Sequence, residues 1–245
     1  MVMHVKLFRQ IFVLNPLWVV LTLTAFAILI NLSWWQYSRA GQKQTQLQHL
    51  AQLQQNGPLS AGELQALATA DADGILLQDE ATWLRPYIWL LDNQIVDGKV
   101  GYDVVIPVSA SGLSDALLVN LGWIAAAPSR DQLPLPELTS QIQLDGLLRT
   151  SVDGLPLLGQ NIEATGQWPV RAQQVDYAAF SDMIGRTVYP ALLYQHGGTV
   201  LLPHYKSVVL PPEKHRGYAL QWLLLAVAVI GVALAASHTG STQDE

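Results

Sequence analysis

His215 stands at the polar end of an uncharged, strongly apolar segment, 218–236. On a helix its neighbours at i+3, i+4 and i+7 are Tyr218, Ala219 and Trp222. His215, Tyr218 and Trp222 therefore share one helical face at the edge of that segment. An imidazole is a common axial ligand of haem iron, and two neighbouring rings could border a flat macrocycle. A second apolar segment, 14–35, ends in a similar polar face: Gln36, Arg39 and Lys43 stand at i, i+3 and i+7. A guanidinium there could meet a propionate as a charge-assisted pair. Polar side chains at membrane depth usually face a bundle interior or a cavity. The competing reading is plainer: aromatic and cationic side chains that anchor a helix at the membrane boundary. Spacing alone leaves both open.

Other chemistry is scarce. The chain has no cysteine, which excludes a disulfide framework, thiolate catalysis and cysteine-ligated zinc or iron–sulfur sites. It also suits an oxidising compartment. No G-x-S-x-G, phosphate-loop, H-E-x-x-H or dinucleotide pattern occurs. Gly98-Lys99-Val100-Gly101 lacks the spacing of a phosphate loop and reads as a hairpin turn. Asp71, Asp73, Asp79 and Glu80 cluster without the ligand spacing of a calcium loop. His196 and His204 fall in or near turns and read as surface residues. The expectation is a non-enzyme.

The elements that must position these residues come from composition and patterning. Half of the 245 residues are hydrophobic and 13% are charged, against about 25% in an ordinary soluble protein. The net charge is -6, with no basic patch to neutralise phosphates, so no nucleic-acid partner is expected. Segments 14–35 and 218–236 lack any charge and approach or exceed the about 20 residues needed to cross a hydrocarbon core. Trp18 lies near one end of the first, with Trp34 and Trp35 at the other, as indole rings marking two headgroup layers would. The first is too long for a signal peptide and no cleavage pattern follows it. Two crossings put both ends on one side and the middle on the other. Lys6 and Arg9 favour an inside N-terminus, but Arg39, Lys43, Lys214 and Arg216 all flank the loop, so charge alone does not orient the chain.

Between the spans, Leu47, Leu50 and Leu53 prolong the first helix until Asn56-Gly57-Pro58 stops it. Ser60 and Glu63 form a capping-box pattern for a short helix over 61–70. Strands are expected over 86–91, 102–108, 117–124, 141–149 and 188–194, with Asp97-Gly98 turning the first pair as a hairpin. A helix is expected over 175–184, and 203–212 is a linker. The fold class is thus a membrane protein of α+β type: two transmembrane helices flanking a mainly antiparallel β extramembrane domain with a few helices. The organisation is an N-terminal tail, 1–13; helix 14–35; an α+β domain, 36–213; helix 214–236; and a C-terminal tail, 237–245. Trp123, closing a strand, is expected to be buried.

Four motifs carry a family resemblance. Leu32-Ser33-Trp34-Trp35-Gln36-Tyr37-Ser38-Arg39, continuing to Lys43, resembles L-G-x-W-Q-x-x-R-x-x-x-K, with Ser33 for glycine. Asp92-Asn93, Asp97-Gly98 and Gly101-Tyr102 match D-N-x-x-x-D-G-x-x-G-Y. Val119-Asn120-Leu121-Gly122-Trp123 matches V-N-R-G-W, with Leu121 for arginine. His215, Tyr218, Ala219 and Trp222 match N-H-x-x-Y-A-x-x-W, with Lys214 for asparagine. In this order they resemble the Surfeit locus (Shy-type) family of cytochrome oxidase assembly factors. The resemblance implies help in building haem-copper cytochrome c oxidase by handling haem a before it enters the catalytic subunit. It implies as partners that catalytic subunit, the haem a synthesis machinery and membrane lipid. Its last motif places a histidine at 215; with the spacing above, His215 is expected to contact haem iron or to hold the haem-handling partner, with Tyr218, Trp222 and Arg39 bordering the haem. It places a multi-pass protein in the cell inner membrane with its domain periplasmic, or in the mitochondrial inner membrane, with both tails inside. A membrane-anchored ligand-binding or sensor domain is the alternative, against which the short tail after 236 counts; a membrane-tethered hydrolase lacks its nucleophile motif.

Overall fold

The computed structural model describes residues 3–7, 10–150, 157, 159–163, 166–198, 201–205 and 210–241. In chain order the elements begin with strands β1 (Met3–Leu7) and β2 (Gln10–Leu14), helix α1 (Pro16–Gln55), helix α2 (Ala61–Leu64) and a 3-10 turn, Thr69–Ala72. Strands β3 (Leu76–Trp83), β4 (Trp89–Val96), β5 (Lys99–Ala110), β6 (Ala116–Ala125), β7 (Gln141–Arg149), β8 (Ile162–Glu163) and β9 (Val170–Ala172) follow. Helix α3 (Tyr177–Ile184), strand β10 (Val188–Gln195), helix α4 (Pro212–Ser237) and strand β11 (His238–Ser241) complete the chain. They form two compact units: Met1–Gln48 with Ser207–Glu245, and His49–Lys206.

In the first unit, α1 and α4 are long and apolar enough to cross a membrane by length and composition. Pro16 opens α1 at a position whose missing N–H costs nothing. On α1, Val19, Thr22, Phe26, Leu29, Ser33, Gln36 and Ala40 are buried or half-buried, at spacings alternating between three and four. On α4, Pro212, His215, Ala219, Trp222 and Ala226 do the same. That alternation is the seam of two helices packed side by side. Small residues line it, and the Ser33 hydroxyl donates across it to the Ala219 carbonyl at 2.8 Å. Off the seam the helices expose Leu17, Trp18, Leu21, Leu23, Leu220 and Leu224. The segments 1–13 and 237–245, read from sequence as tails, carry a three-stranded antiparallel sheet ordered β1-β2-β11.

The second unit is an eight-stranded sheet ordered β3-β7-β10-β6-β5-β4-β9-β8, with β3 also pairing β5. That last pairing closes β3, β7, β10, β6 and β5 into a five-stranded ring. The twelve residues of β5 make this possible: its first half pairs β4, and Val108–Ala110 pair β3 along the same edge. Six of the eight strand pairings are antiparallel; β10–β6 and β4–β9 are parallel. The period of two sorts side chains into two cores. Val104, Ile106, Leu117, Val119, Ala191 and Leu193 fill the ring. Val105, Ala116, Leu118, Val188 and Leu192 point outward and are covered by Trp89 and by Phe180 of α3. Trp89 and Phe180 stack at 4.0 Å, and Trp168 meets Trp89 edge-on at 5.4 Å.

Local chemistry explains most boundaries. Asp97 and Gly98 turn β4 into β5 with φ of 49° and 74°, the two positive values a tight I′ hairpin requires. Ser60 and Glu63 form the capping box, with the Ser60 N–H donating to Glu63 at 2.8 Å. The helix it starts is shorter than expected: α2 ends at Leu64, and the chain tightens into the 3-10 turn five residues later. Asp176 caps α3 two residues inside the expected start. Strands β3, β8 and β9 were not anticipated. In β3, Gln78 and Glu80 face away from the ring, while Asp79 shares the ring-side face with Leu77 and Ala81 and accepts from the Ala61 N–H at 2.8 Å, so polar residues on both faces hide the strand.

Candidate functional site

The polar face where the C-terminal half of α1 meets the start of α4 forms by the seam alone. Ser33 and Gln36 lie on it from α1; His215, Ala219 and Trp222 lie on it from α4. Only 7% of His215 is exposed, and its Nδ1 lies 2.7 Å from Gln36 Oε1. A carboxamide oxygen can only accept, so the imidazole donates from Nδ1. Among the described residues no partner stands on Nε2. The buried ring is thereby held by one nitrogen with the lone pair of the other uncommitted.

The other sequence-selected residues are placed differently. Trp222 is half-buried on the same seam, one turn beyond Ala219. Tyr218 lies outside the seam and is 44% exposed. Arg39 is exposed and donates to Gln42 on its own helix at 2.9 Å; Lys43 donates to Gln46 at 3.1 Å. Around this level Trp34, Trp35 and Tyr37 are all exposed. The structure thus joins His215 to α1 through Gln36, with Arg39 one turn further along. Among the described residues no three of His, Asp and Glu come together as a metal cluster.

In the second unit, two matched motifs meet. Between Val104 and Val105 the β5–β6 ladder slips by one residue, leaving Leu121 as a bulge beside Gly122, whose φ is 120°. The Gly122 N–H is taken by the Asn120 side chain at 2.9 Å. The Asn120 amide donates in turn to Asp103 Oδ2 at 2.8 Å. Asp103 Oδ1 receives His204 Nε2 at 2.5 Å. Trp123, expected to be buried, is half-buried: it lies over Gly101 and its indole donates to the Gln94 carbonyl at 3.1 Å. Gly101 is required there, since a Cβ would stand 2.4 Å from the indole and 2.2 Å from the Ile124 carbonyl.

His204, read as a surface residue, instead closes this buried network. Beside it Tyr194 stacks on Tyr205 at 3.8 Å. Burial, then the neighbouring Tyr205 and Asp103, push the Tyr194 phenol far above its ordinary range. Burial alone pushes Tyr177 up to about 12. Arg149 binds Asp73 at 2.9 Å; burial raises the Asp73 carboxyl, and Arg149 with the Thr150 N–H outweighs it, leaving a lowered value. The sequence signal for this network was Asp103 itself, one carboxylate inside the apolar strand Tyr102-Asp103-Val104-Val105-Ile106. For the membrane end it was Gln36, which lies in the first motif but had been given no task.

Comparison with curated proteins gives no match. The model of the SURF1 family matches residues 23–227, which runs from Leu23 of α1 to Val227 of α4 and takes in the whole strand domain between them, so the chain belongs to the SURF1 family.

Proposed function

We propose that this protein is an assembly factor for haem-copper cytochrome c oxidase, acting in the membrane at the step where haem a reaches the catalytic subunit. Family membership over 23–227 supports the assembly role. The observation that carries the haem step is His215, a buried imidazole fixed through Nδ1 with no partner on Nε2 among the described residues. Those residues fit a haem: the uncommitted nitrogen suits an axial ligand, and Trp222 and Tyr218 supply ring surface nearby. Arg39 is a cation within the same end of the helix pair, suited to a propionate. Haem bound here would be cargo passed on, and the protein's part is to hold and orient it.

In this reading α1 and α4 span the bilayer. Their apolar outer faces are those of helices in lipid, and Trp18 and Trp35 lie about 26 Å apart along α1 at 1.5 Å per residue, close to a hydrocarbon core. The strand domain then lies outside, periplasmic or in the intermembrane space, with both ends inside. A long loop domain translocates largely regardless of flanking charge, which accommodates Arg39, Lys43, Lys214 and Arg216. The test is a reduced-minus-oxidised spectrum of membranes from a deletion strain. Loss of the haem a band, restored by the parent gene and not by His215→Ala, is the expected result. An unchanged haem a band in the deletion strain refutes the proposal.

A further inference from the structure

We infer that Gln36 is a positioning residue that selects the Nδ1–H tautomer of His215 and so presents Nε2 as the iron-binding nitrogen; this rests on the haem reading of His215 given above. A neutral imidazole carries one proton, and the partner of one nitrogen decides which nitrogen holds it. The carboxamide oxygen of Gln36 lies 2.7 Å from Nδ1 and accepts from it. The proton is then on Nδ1 and the free pair on Nε2. With the amide turned over, its N–H2 would donate to Nδ1, the proton would move to Nε2, and that nitrogen could not ligate.

The surroundings make Gln36 a committed partner. It sits on the α1 seam, half-buried, one turn beyond Ser33, whose hydroxyl is bonded across to Ala219. Ala219 is one turn beyond His215. Two cross-helix hydrogen bonds, Ser33 to Ala219 and Gln36 to His215, therefore fix the register of α1 against α4 over adjacent turns. Neither helix can slide or rotate by a residue without breaking both. The orientation of the ring is thus built into the helix packing, which is how outer-shell hydrogen bonds hold and tune metal-ligating histidines.

The experiment uses the full chain in detergent or nanodiscs, labelled with 15N-histidine, and three variants: Gln36→Leu, Gln36→Glu and His215→Ala. The first readout is the ring-nitrogen spectrum of the haem-free protein at alkaline pH, with His215→Ala identifying the resonances. The parent is expected to hold the Nδ1–H form, Gln36→Glu to keep it, and Gln36→Leu to revert towards the Nε2–H form favoured by free histidine. An Nε2–H form in the parent, or an unchanged spectrum in Gln36→Leu, overturns the inference whether or not haem binds. The second readout is haemin titration. Gln36→Leu is expected to bind about 10-fold or more weakly, with Gln36→Glu restoring affinity and lowering the midpoint potential of the bound haem. Parent-like affinity and spectrum in Gln36→Leu also overturn it. A parent that binds no haemin while showing the Nδ1–H form overturns the haem reading and, with it, the ligand-presenting part of the inference, while the tautomer assignment stands. Helical circular dichroism of each variant, with Gln36→Glu as the conservative replacement, separates these results from misfolding.

Discussion

Replacing Asn120 by leucine gives the strongest test of the strand domain. Asn120 is buried, accepts from the Gly122 N–H and donates to Asp103, so one substitution strips two groups at once. Gly122 N–H points out of the ladder at the bulge, and Asp103, 6% exposed, keeps His204 as its partner among the described residues. A buried donor or acceptor left without a partner costs about 1–3 kcal/mol, and more when charged. The two losses together come to about 3–6 kcal/mol. Burying a leucine side chain returns about 1.5–2 kcal/mol. The net is a destabilisation of about 1–4.5 kcal/mol. For a unit the size of 49–206, each kcal/mol moves the melting temperature by about 2–4 °C, so a fall of about 2–18 °C is expected. Thermal melts of the full chain in detergent, followed by tryptophan fluorescence and near-ultraviolet circular dichroism, report it directly. A fall below about 2 °C would refute the view that Asn120 carries both groups.

Three further outcomes follow from the same structure. Gly101→Ala drives a Cβ against the Ile124 carbonyl and the Trp123 indole; overpacking of this kind costs about 1–3 kcal/mol, read as a lower urea midpoint at unchanged m. Tyr177 and Tyr194 hold their protons in the folded state at pH values where the unfolded chain loses them, at about 10. Their contribution is therefore fully present below pH 10 and is lost as pH rises towards 12, so unfolding free energy should fall over that window and be flat with respect to these groups below it. Alkaline phosphatase fused at Gln160 should be active, since the strand domain is proposed to lie outside; an inactive fusion reverses the topology.

The sequence made the helices legible because uncharged runs with indoles at their ends have few other uses. The hairpin was legible because Asp97-Gly98 supplies two positive φ values, and β7 because its residues alternate in burial along Gln141–Arg149. Pairing order was not legible. Nothing local in Val188–Gln195 says that β10 runs parallel to β6 on one side and antiparallel to β7 on the other. At the start of α4, spacing puts His215, Tyr218 and Trp222 on one face, because i+3 and i+4 neighbours are equivalent until a partner helix chooses between them. Here α1 takes the row through Ala219 and leaves Tyr218 outside. Gln36 gained its meaning the same way, from a helix that begins 176 positions later at Pro212, a separation no window of sequence contains.

The closed ring also sets the order in which the protein can be made. Its first strand, β3, needs β7 beside it, and β7 needs β10, which ends at Gln195. A chain emerging from its N-terminus can pair β4, β5 and β6 as neighbours, and β5 can reach back to β3, long before the last ring strand exists. Until then β6 and β7 each present an open edge of unpaired N–H and C=O groups, the feature that invites contact with other chains. Pairings between distant segments are slow to form. Synthesis therefore carries this protein through a stage in which α1 is complete while the β barrel still gapes by one strand, and the arrival of β10 is the event that seals it.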